Sequence, residues 1–470
     1  MRIVLAALLG ALALGAVACG SQDEVSAGTA SSAGLLRPGA IAYLQTVSDP
    51  ESAQWKQTEE LLHRFPDGDK WIAELKKDLL RDEKVNWDED VRRALGDVVD
   101  LAVYAGSTDK PAVVGLTNPK DPDKLLALVR KLDAADPGDP TVTRVVGDWV
   151  AISDREAAID AALKDGGGRS LEDDQSFRSA MNDLPDDALS RGYVDPARMF
   201  DLVGPDERKT LGMLGLQNLE FAGAWAKARD DGAEFAAAVR GDGAERLFGT
   251  AEPYSSRLLE KVPDDAFAFV SFQGAGLRRQ LEELRSNPIF AMGLRDFERE
   301  SGIKVDDVIA LLDGEIAFYA RPAIPIPELT LMVQTDDKAR AKATVERLLQ
   351  GVSDKLEGFR LTVGSFDGAV VVSTSPKAVD ELQQSGGKLP GSDRYEHALE
   401  AAGAPEEYTG LVYVDVSETW NLVREYLGLS GEEDQVPPEV RRNIEPVRSL
   451  VAFGKQDGSL STFLAFLEIK

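Results

Sequence analysis

Cysteine and histidine are nearly absent from this chain of 470 residues. Cys19 is the only cysteine, and His63 and His397 are the only histidines. A single cysteine excludes a disulfide within the chain, so the fold has to rely on its hydrophobic core. The short histidine and cysteine spacings of zinc sites are missing, as are the glycine-rich phosphate loop and the nucleophile elbow of hydrolases. We therefore predict no metal site, no cofactor and no catalytic residue.

The few chemically suggestive residues have simpler interpretations. His63 and His397 lie in amphipathic, helix-like segments in different halves of the chain, so we interpret both as helix-surface residues. Ser107 and Lys110 match an S-x-x-K pattern, in which a serine nucleophile opens a helix. Here the pattern falls in four polar residues between two predicted strands, which favours a hairpin loop.

Positive charge is scarce, with 53 Lys and Arg against 81 Asp and Glu and a formal net charge of −28. Nucleic-acid binding depends on cations that neutralise phosphates, so we predict no nucleic-acid partner. Anionic lipid leaflets likewise recruit clusters of Lys and Arg. The acidic runs 88–90 and 432–434 lack the alternating ligand spacing of a calcium loop, which favours a solvated acidic surface. The excess of acid therefore indicates solubility above all.

Long hydrophobic runs are missing except at the N-terminus. Residues 3–18 carry no charge, follow Arg2 and end in three small residues directly before Cys19. This pattern is typical of a secretory signal peptide. An uncleaved membrane anchor and an ordinary signal peptide are the alternatives, but a spanning helix needs about 20 apolar residues.

Residues 1–18 together with Cys19 resemble the signal of bacterial lipoproteins, whose cysteine is acylated after export and becomes the new N-terminus. Ala16 departs from the usual pattern, which more often has leucine at that place. The resemblance implies lipid attachment at Cys19 and a position on the extracytoplasmic face of the cell membrane. Residues 19–35 are small and polar without periodicity, and we predict a flexible tether there with a reach of roughly 20 Å.

The rest of the chain contains the same order of segments twice. Tyr193-Val194-Asp195 returns as Tyr413-Val414-Asp415, and each copy ends in a predicted hairpin with an Asp-Gly turn, at Asp231-Gly232 and at Asp457-Gly458. The repeat is too long for a solenoid unit of about 20–50 residues, so it indicates a duplicated domain.

We predict two tandem α+β repeats, over 36–241 and 257–470, each with a mostly antiparallel sheet and packed helices. Within each repeat the predicted order is β-α-β-β-α-β-β-α-β-α-β-β. Clear helix patterns cover 121–132, which opens with an N-cap and a proline, and 337–349. The boundary between the repeats falls near 241–256.

Four segments of the second half are similar to a bacterial family named domain of unknown function 3352. They are VPDDAFAFVSF, SGIKVDDVIALLDGEIAFYA, LTLMVQTDD with the helix after it, and DGAVVVSTSPKAVDEL. The likeness is strongest over 258–470 and fainter over 36–240. It implies an exported or membrane-associated protein, and it implies no activity.

The sequence therefore supports three hypotheses for the function. The leading one is a lipid-anchored, non-enzymatic binding or scaffolding module of the cell envelope, with an unknown envelope protein as partner. The second is a carrier for a lipid or other apolar ligand, lined by strands 266–272 and 369–373. The third is a hydrolase with an unusual site of two close carboxylates whose pKa values are displaced.

Overall fold

A computed structural model describes most of residues 31–470. Outside the description are residues 1–30, 81–84, 107–109, 136–140, 165, 205–207, 209–211, 213–217, 242–251, 287, 324–326, 353–360, 385–386 and 431–435. The predicted signal peptide, Cys19 and Ser107 thus lie outside the described residues. The chain divides into two compact units, Met1–Ala244 with Ile469–Lys470, and Glu245–Glu468. In the described residues we find no helix that is long and apolar enough to cross a membrane.

The described part of the first unit contains eight strands in the order β4-β5-β3-β2-β1-β6-β7-β8, and neighbouring strands pair antiparallel. The strands are β1 (Ala42–Val47), β2 (Gly96–Tyr104), β3 (Ala112–Pro119), β4 (Val142–Val146), β5 (Trp149–Ser153), β6 (Ser190–Val194), β7 (Leu219–Arg229) and β8 (Gly232–Gly241).

The helices of this unit connect the strands in chain order. They are α1 (Ala53–His63), α2 (Gly68–Leu80), α3 (Pro122–Ala135), α4 (Glu156–Ala162), α5 (Gln175–Asp183) and α6 (Pro196–Leu202). One face of the sheet packs on α3 through Val99, Leu125 and Ile152. On the other face, the Phe177 ring of α5 makes edge-to-face contacts with Tyr43 at 5.1 Å and Tyr193 at 5.4 Å. Helices therefore cover both faces.

The second unit is built in the same strand order, β12-β13-β11-β10-β9-β14-β15-β16. Its strands are β9 (Ala268–Gln273), β10 (Glu315–Arg321), β11 (Glu328–Gln334), β12 (Thr362–Phe366), β13 (Ala369–Ser373), β14 (Gly410–Asp415), β15 (Val447–Asp457) and β16 (Leu460–Ile469). The two orders agree position by position, with β9 in the place of β1 and β10 in the place of β2.

The helices of the second unit also follow the pattern of the first. They are α7 (Ala275–Ser286), α8 (Pro288–Ser301), α9 (Val305–Ala310), α10 (Lys338–Val352), α11 (Ala378–Gln383), α12 (Asp393–Ala402), α13 (Val416–Ser430) and α14 (Pro438–Ile444). Helix α10 packs on one sheet face through Val345, against Val333 and Val370. Helix α12 lies on the other face, where Tyr395 meets Tyr413 edge to face at 5.0 Å.

The structure confirms the predicted α+β fold with antiparallel strands. Helices lie on both faces of each sheet. The predicted helix at 121–132 is present as α3, and the Asp121 carboxylate accepts from the backbone N–H of Asp123 at 3.1 Å. That contact is the predicted N-cap. The division of the chain after Ala244 falls within the irregular stretch 241–256.

Two local predictions need correction. Residues 31–35 were assigned to the flexible tether, but Ser32–Leu35 form a 3₁₀ turn in which Ser32 and Ala33 are fully buried. In the hairpin that ends the first unit, the turn residues are Asp230 and Asp231, because Gly232 already pairs with Arg229. In the second unit the turn residues are Gly458, which has a φ of 56°, and Ser459, because Asp457 is the last residue of β15.

Candidate functional site

The second unit contains a buried carboxylate at the first residue of β10. Glu315 is 1% exposed. Its Oε2 accepts from the backbone N–H groups of Arg257 at 2.9 Å and Leu258 at 3.2 Å. Its Oε1 accepts from the hydroxyls of Ser256 and of Ser271, the latter at 2.8 Å. Four donors therefore replace the water that this carboxylate lost on burial.

A polar cavity of about 590 Å³ borders Glu315. Its wall includes the segment before β9 and the ends of β9, β10 and β11. Among the described residues of the wall there are five carboxylates and one arginine, Arg257. Three of them, Glu260, Asp336 and Glu407, are exposed and make no ion pair with the other described residues. The cavity is thus a strongly acidic, hydrogen-bonding environment.

Two tyrosines stand beside this cavity. Tyr254 lines it, and its hydroxyl donates to the Ser271 oxygen at 2.6 Å, because the single Ser271 proton is donated to Glu315. The Tyr408 ring packs against that of Tyr254 at 5.4 Å. Burial, chiefly, and the neighbouring Glu315 charge raise the pKa of Tyr408 to about 12, although Ser256 acts to lower it. The Tyr408 hydroxyl is nevertheless without a hydrogen bond of normal geometry, although the side chain is only 3% exposed.

The first unit has a buried carboxylate at the corresponding place. Asp100 precedes Tyr104 by four residues, as Glu315 precedes Tyr319, and it is 0% exposed. Its Oδ2 accepts from the backbone N–H of Ser32 at 2.8 Å, whereas its Oδ1 makes no hydrogen bond. Burial raises the pKa of Asp100, and the hydrogen bonds from Ser32 act to lower it.

The strand pairing around the two carboxylates differs. Asp100 pairs with Gln45, and Glu315 pairs with Gln273. In the first unit the pairing of β1 with β2 continues for two more residues, as far as Val47. In the second unit the pairing of β9 with β10 ends at Glu315. Asp100 is therefore enclosed within its sheet, and Glu315 stands at the end of its sheet.

Carboxylates near the start of a strand can accept from backbone amides, and Asp97, Asp100, Asp313 and Glu315 lie near the start of β2 or β10. Asp100 and Glu315 make such bonds. Asp97 instead faces Lys120 at 3.7 Å, and Asp313 pairs with Arg278. The donors come from segments 57–68 residues away in sequence, which no local pattern could reveal.

His397 makes more contacts than our interpretation of it as a helix-surface residue suggested. Its side chain is half exposed, but its Nε2 lies 3.0 Å from the buried carboxylate of Glu468. Arg448 approaches the same oxygen at 2.9 Å, and the Ser449 hydroxyl donates to the other oxygen at 2.6 Å. The carboxylate stands between serine and histidine, so the histidine has no contact through which it could activate the serine. His63 lies 2.9 Å from the exposed Asp69.

A row of apolar side chains crosses one face of the second sheet. Val372, Leu331, Phe318, Val270 and Val412 stand opposite one another on five adjacent strands. None of the five is fully buried, and Leu331 is 36% exposed. Leu329, 37% exposed, points to the same face two residues away. Val372 also packs against the core beneath α10, as Leu44 and Leu101 of the first unit pack against the core beneath α3.

Comparison with known protein families gives one match. Residues 129–364, half of the chain, match the family described as Protein of unknown function (DUF3352). The chain belongs to this family. The DUF3352 match includes Glu315, Gln334 and Asp336 but ends before Glu407, and it does not reach the part of the predicted resemblance beyond residue 364. No curated protein and no solved structure matches the chain.

Proposed function

We propose that this DUF3352 protein is a lipid-anchored, extracytoplasmic binding module that does not catalyse a reaction. In this proposal Cys19 is the acylated N-terminal residue of the mature chain and holds it at the outer face of the cell membrane. The observation that carries the placement is the single cysteine directly after an uncharged leader and three small residues.

The proposal includes a duplication, in which residues 36–241 and 257–470 are tandem copies of one unit. It is supported by the identical strand order and by the buried carboxylate that faces a glutamine in each unit. The binding role is supported by the cavity beside Glu315, which has a volume suited to a small ligand. The carboxylates best placed for chemistry are held by structural hydrogen bonds, which favours binding over hydrolysis.

The anchor is tested by replacing its attachment residue. Cys19→Ala should leave unprocessed precursor and abolish metabolic labelling with a radioactive fatty acid, because no other thiol is present. Cys19→Ser serves as a near-isosteric control that also lacks the thiol and should behave in the same way. Normal labelling of either variant would refute acylation at this position.

A second candidate function is the transport of a lipid or other apolar ligand. The partly exposed apolar row around Leu331 favours it, since exposed contiguous apolar surface marks binding sites in soluble proteins. Native mass spectrometry of the purified protein should then find a bound lipid that is lost in Leu331→Ser. Protein that carries no lipid at any stage of purification would set this candidate aside.

A further inference from the structure

We infer that the tip of the helical hairpin α7–α8 inserts into the lipid bilayer and forms a membrane contact in addition to the proposed anchor. The inference goes beyond the proposed function and does not require acylation at Cys19. It starts from α8, in which none of the described side chains is buried. A surface helix normally hides its apolar side chains against the body of the protein. In α8, Phe290 is instead 50% exposed and Met292 is 58% exposed.

The exposed apolar side chains of α8 point in more than one direction. Phe290 and Phe297 are seven residues apart and therefore share one face of the helix. Met292 follows Phe290 by two residues, which is about 200° around a helix, so it points to the opposite side. Among the described residues, no atom outside its own helix lies within 4 Å of the place where a Cβ of Gly293 would stand. A helix that docks in a protein groove presents one face, so apolar exposure on both sides favours insertion into lipid.

The charge pattern of the hairpin favours an apolar contact with the membrane. Residues 286–294 carry no charge and are bordered by Arg285, which also pairs with Asp306, and by Arg295. Arginine beside an apolar segment can bury its stem and keep its guanidinium among the lipid headgroups. The hairpin, 275–301, contains five arginines and five carboxylates and is formally neutral, whereas the chain carries −28. Anionic headgroups therefore repel this segment less than they repel the rest of the chain.

The first unit has a hairpin at the same place in its element order, and its tip is docked. Helices α1 and α2 follow β1, as α7 and α8 follow β9. Phe65, between α1 and α2, is 8% exposed, and its ring packs against that of Trp71 at 5.4 Å. The Arg64 guanidinium donates to the backbone oxygens of Asp230 at 3.0 Å and of Ile469 at 2.8 Å, both in the same unit. The exposed tip is therefore a feature of the second unit and does not follow from the strand order.

The proposed anchor explains why the partner is a bilayer. A chain held at the outer face of the membrane has lipid at high effective concentration. A contact through a few apolar side chains is weak by itself, and it becomes effective when it adds to a lipid anchor, since stable membrane attachment usually takes two signals. The tip would then limit how freely the second unit moves on its anchor.

The inference is tested by photo-crosslinking of the full chain on vesicles of phosphatidylcholine and phosphatidylglycerol. Phe290 is replaced by p-benzoylphenylalanine, whose excited ketone inserts into a neighbouring C–H bond. Mass spectrometry of the tip peptide should find adducts with lipid acyl chains. The matched control replaces Phe235 of the first unit, which is 38% exposed, by the same amino acid. Position 235 should give at least about fivefold less lipid adduct than position 290.

A charge placed beside the reporter tests the apolar nature of the contact. In the chain with the reporter at position 290, Met292→Asp should lower the yield of lipid adduct about tenfold, because a carboxylate is costly to place among acyl chains. Met199→Asp changes an exposed methionine of the first unit and should alter the yield by less than about twofold. Both methionines are exposed, so both variants should keep the fold. Added salt should leave the yield nearly unchanged, because salt screens charges and not apolar contacts.

Four outcomes would overturn the inference. They are equal lipid adducts at positions 290 and 235, loss of the adducts at high salt, crosslinks in native membranes to a protein instead of lipid, and a chain that does not associate with the vesicles. The anchor is tested separately by the fatty-acid labelling of Cys19. Lipid adducts at position 290 on a chain without that label would refute the anchor and leave the inserted tip intact.

Discussion

Each unit has a buried carboxylate at the corresponding point of its strand order. The two carboxylates differ in the hydrogen-bond donors that they receive. Glu315 receives four hydrogen bonds, two of them from backbone N–H groups, whereas Asp100 receives one backbone N–H bond and keeps an unpaired oxygen. Burial raises the pKa of Asp100 as a result. Hydrogen-bond donors around a buried carboxylate stabilise its charge, and burial with too few donors disfavours the charge, as at Asp100.

The strongest test of this comparison removes the charge of Glu315, which has four hydrogen-bond donors. Glu315→Gln should lower the free energy of unfolding of the second unit by about 3 kcal/mol, because charge-assisted hydrogen bonds are lost and the new amide NH₂ faces donors. Denaturant unfolding of the full chain measures it, with the exposed Glu260→Gln as control. A loss below about 0.5 kcal/mol, no more than a typical surface substitution gives, would contradict the account.

A smaller effect is expected from one of the donors. Ser271→Ala removes the hydroxyl that bonds Glu315 at 2.8 Å and Tyr254 at 2.6 Å, and should cost about 2 kcal/mol. Ser190→Ala is the matched control in the first unit, since this buried hydroxyl bonds only a neutral hydroxyl, that of Thr46, at 3.0 Å. It should cost about 1 kcal/mol. Equal losses would show that the charge on Glu315 adds nothing.

The helix caps should show where the two units behave alike. Asp195 accepts from the Arg198 N–H at 3.0 Å, and Asp415 accepts from the Glu418 N–H at 2.8 Å. Replacement of either by alanine should lower stability by about 1 kcal/mol. Denaturant unfolding measures both losses of stability. A large loss in one unit and none in the other would mean that the two caps contribute differently in spite of the common strand order.

Asp100→Asn should have the smallest effect on the free energy of unfolding at neutral pH. The size of this effect depends on pH. The pKa of Asp100 is raised in the folded chain, so the fold favours the neutral carboxyl. Its contribution to stability is fully present below the unfolded pKa of about 3.9 and is lost as the pH rises through the folded pKa. Asparagine cannot ionise and should lack this decline.

Urea midpoints of the wild type and Asp100→Asn, measured from pH 4 to pH 8, test that expectation. The stability advantage of the wild type should shrink as the pH rises. Asp97→Asn, an exposed carboxylate of the same strand, is the control and should leave the pH profile unchanged. An advantage that grows with pH would mean that the Asp100 charge is stabilised.

Much of this architecture could be predicted from sequence patterns. Period-two and period-3.6 spacings located the strands and the helices α3 and α10, because each element has to bury an apolar face. The caps at Asp195 and Asp415 follow from residue type and position alone. The order of elements within one unit could be read twice, which made the prediction of eight strands per unit more secure.

The candidate site could not be predicted in the same way. The donors to Glu315 come from Ser256, Arg257 and Leu258, far away in sequence and without a distinctive motif. The cavity lies where the pairing of β9 with β10 ends, and the place where that pairing ends is decided by tertiary packing and not by local propensity. The burial of Ser32 was missed for a related reason, since small polar residues resemble a linker until a partner such as Asp100 is known.

The difference between the two buried carboxylates is tested most directly by a carbon-13 NMR titration of the Asp100 carboxyl group in the full chain. The account predicts a pKa above the ordinary value for aspartate, because burial raises it. A pKa at or below the ordinary value of about 3.9 would contradict the account.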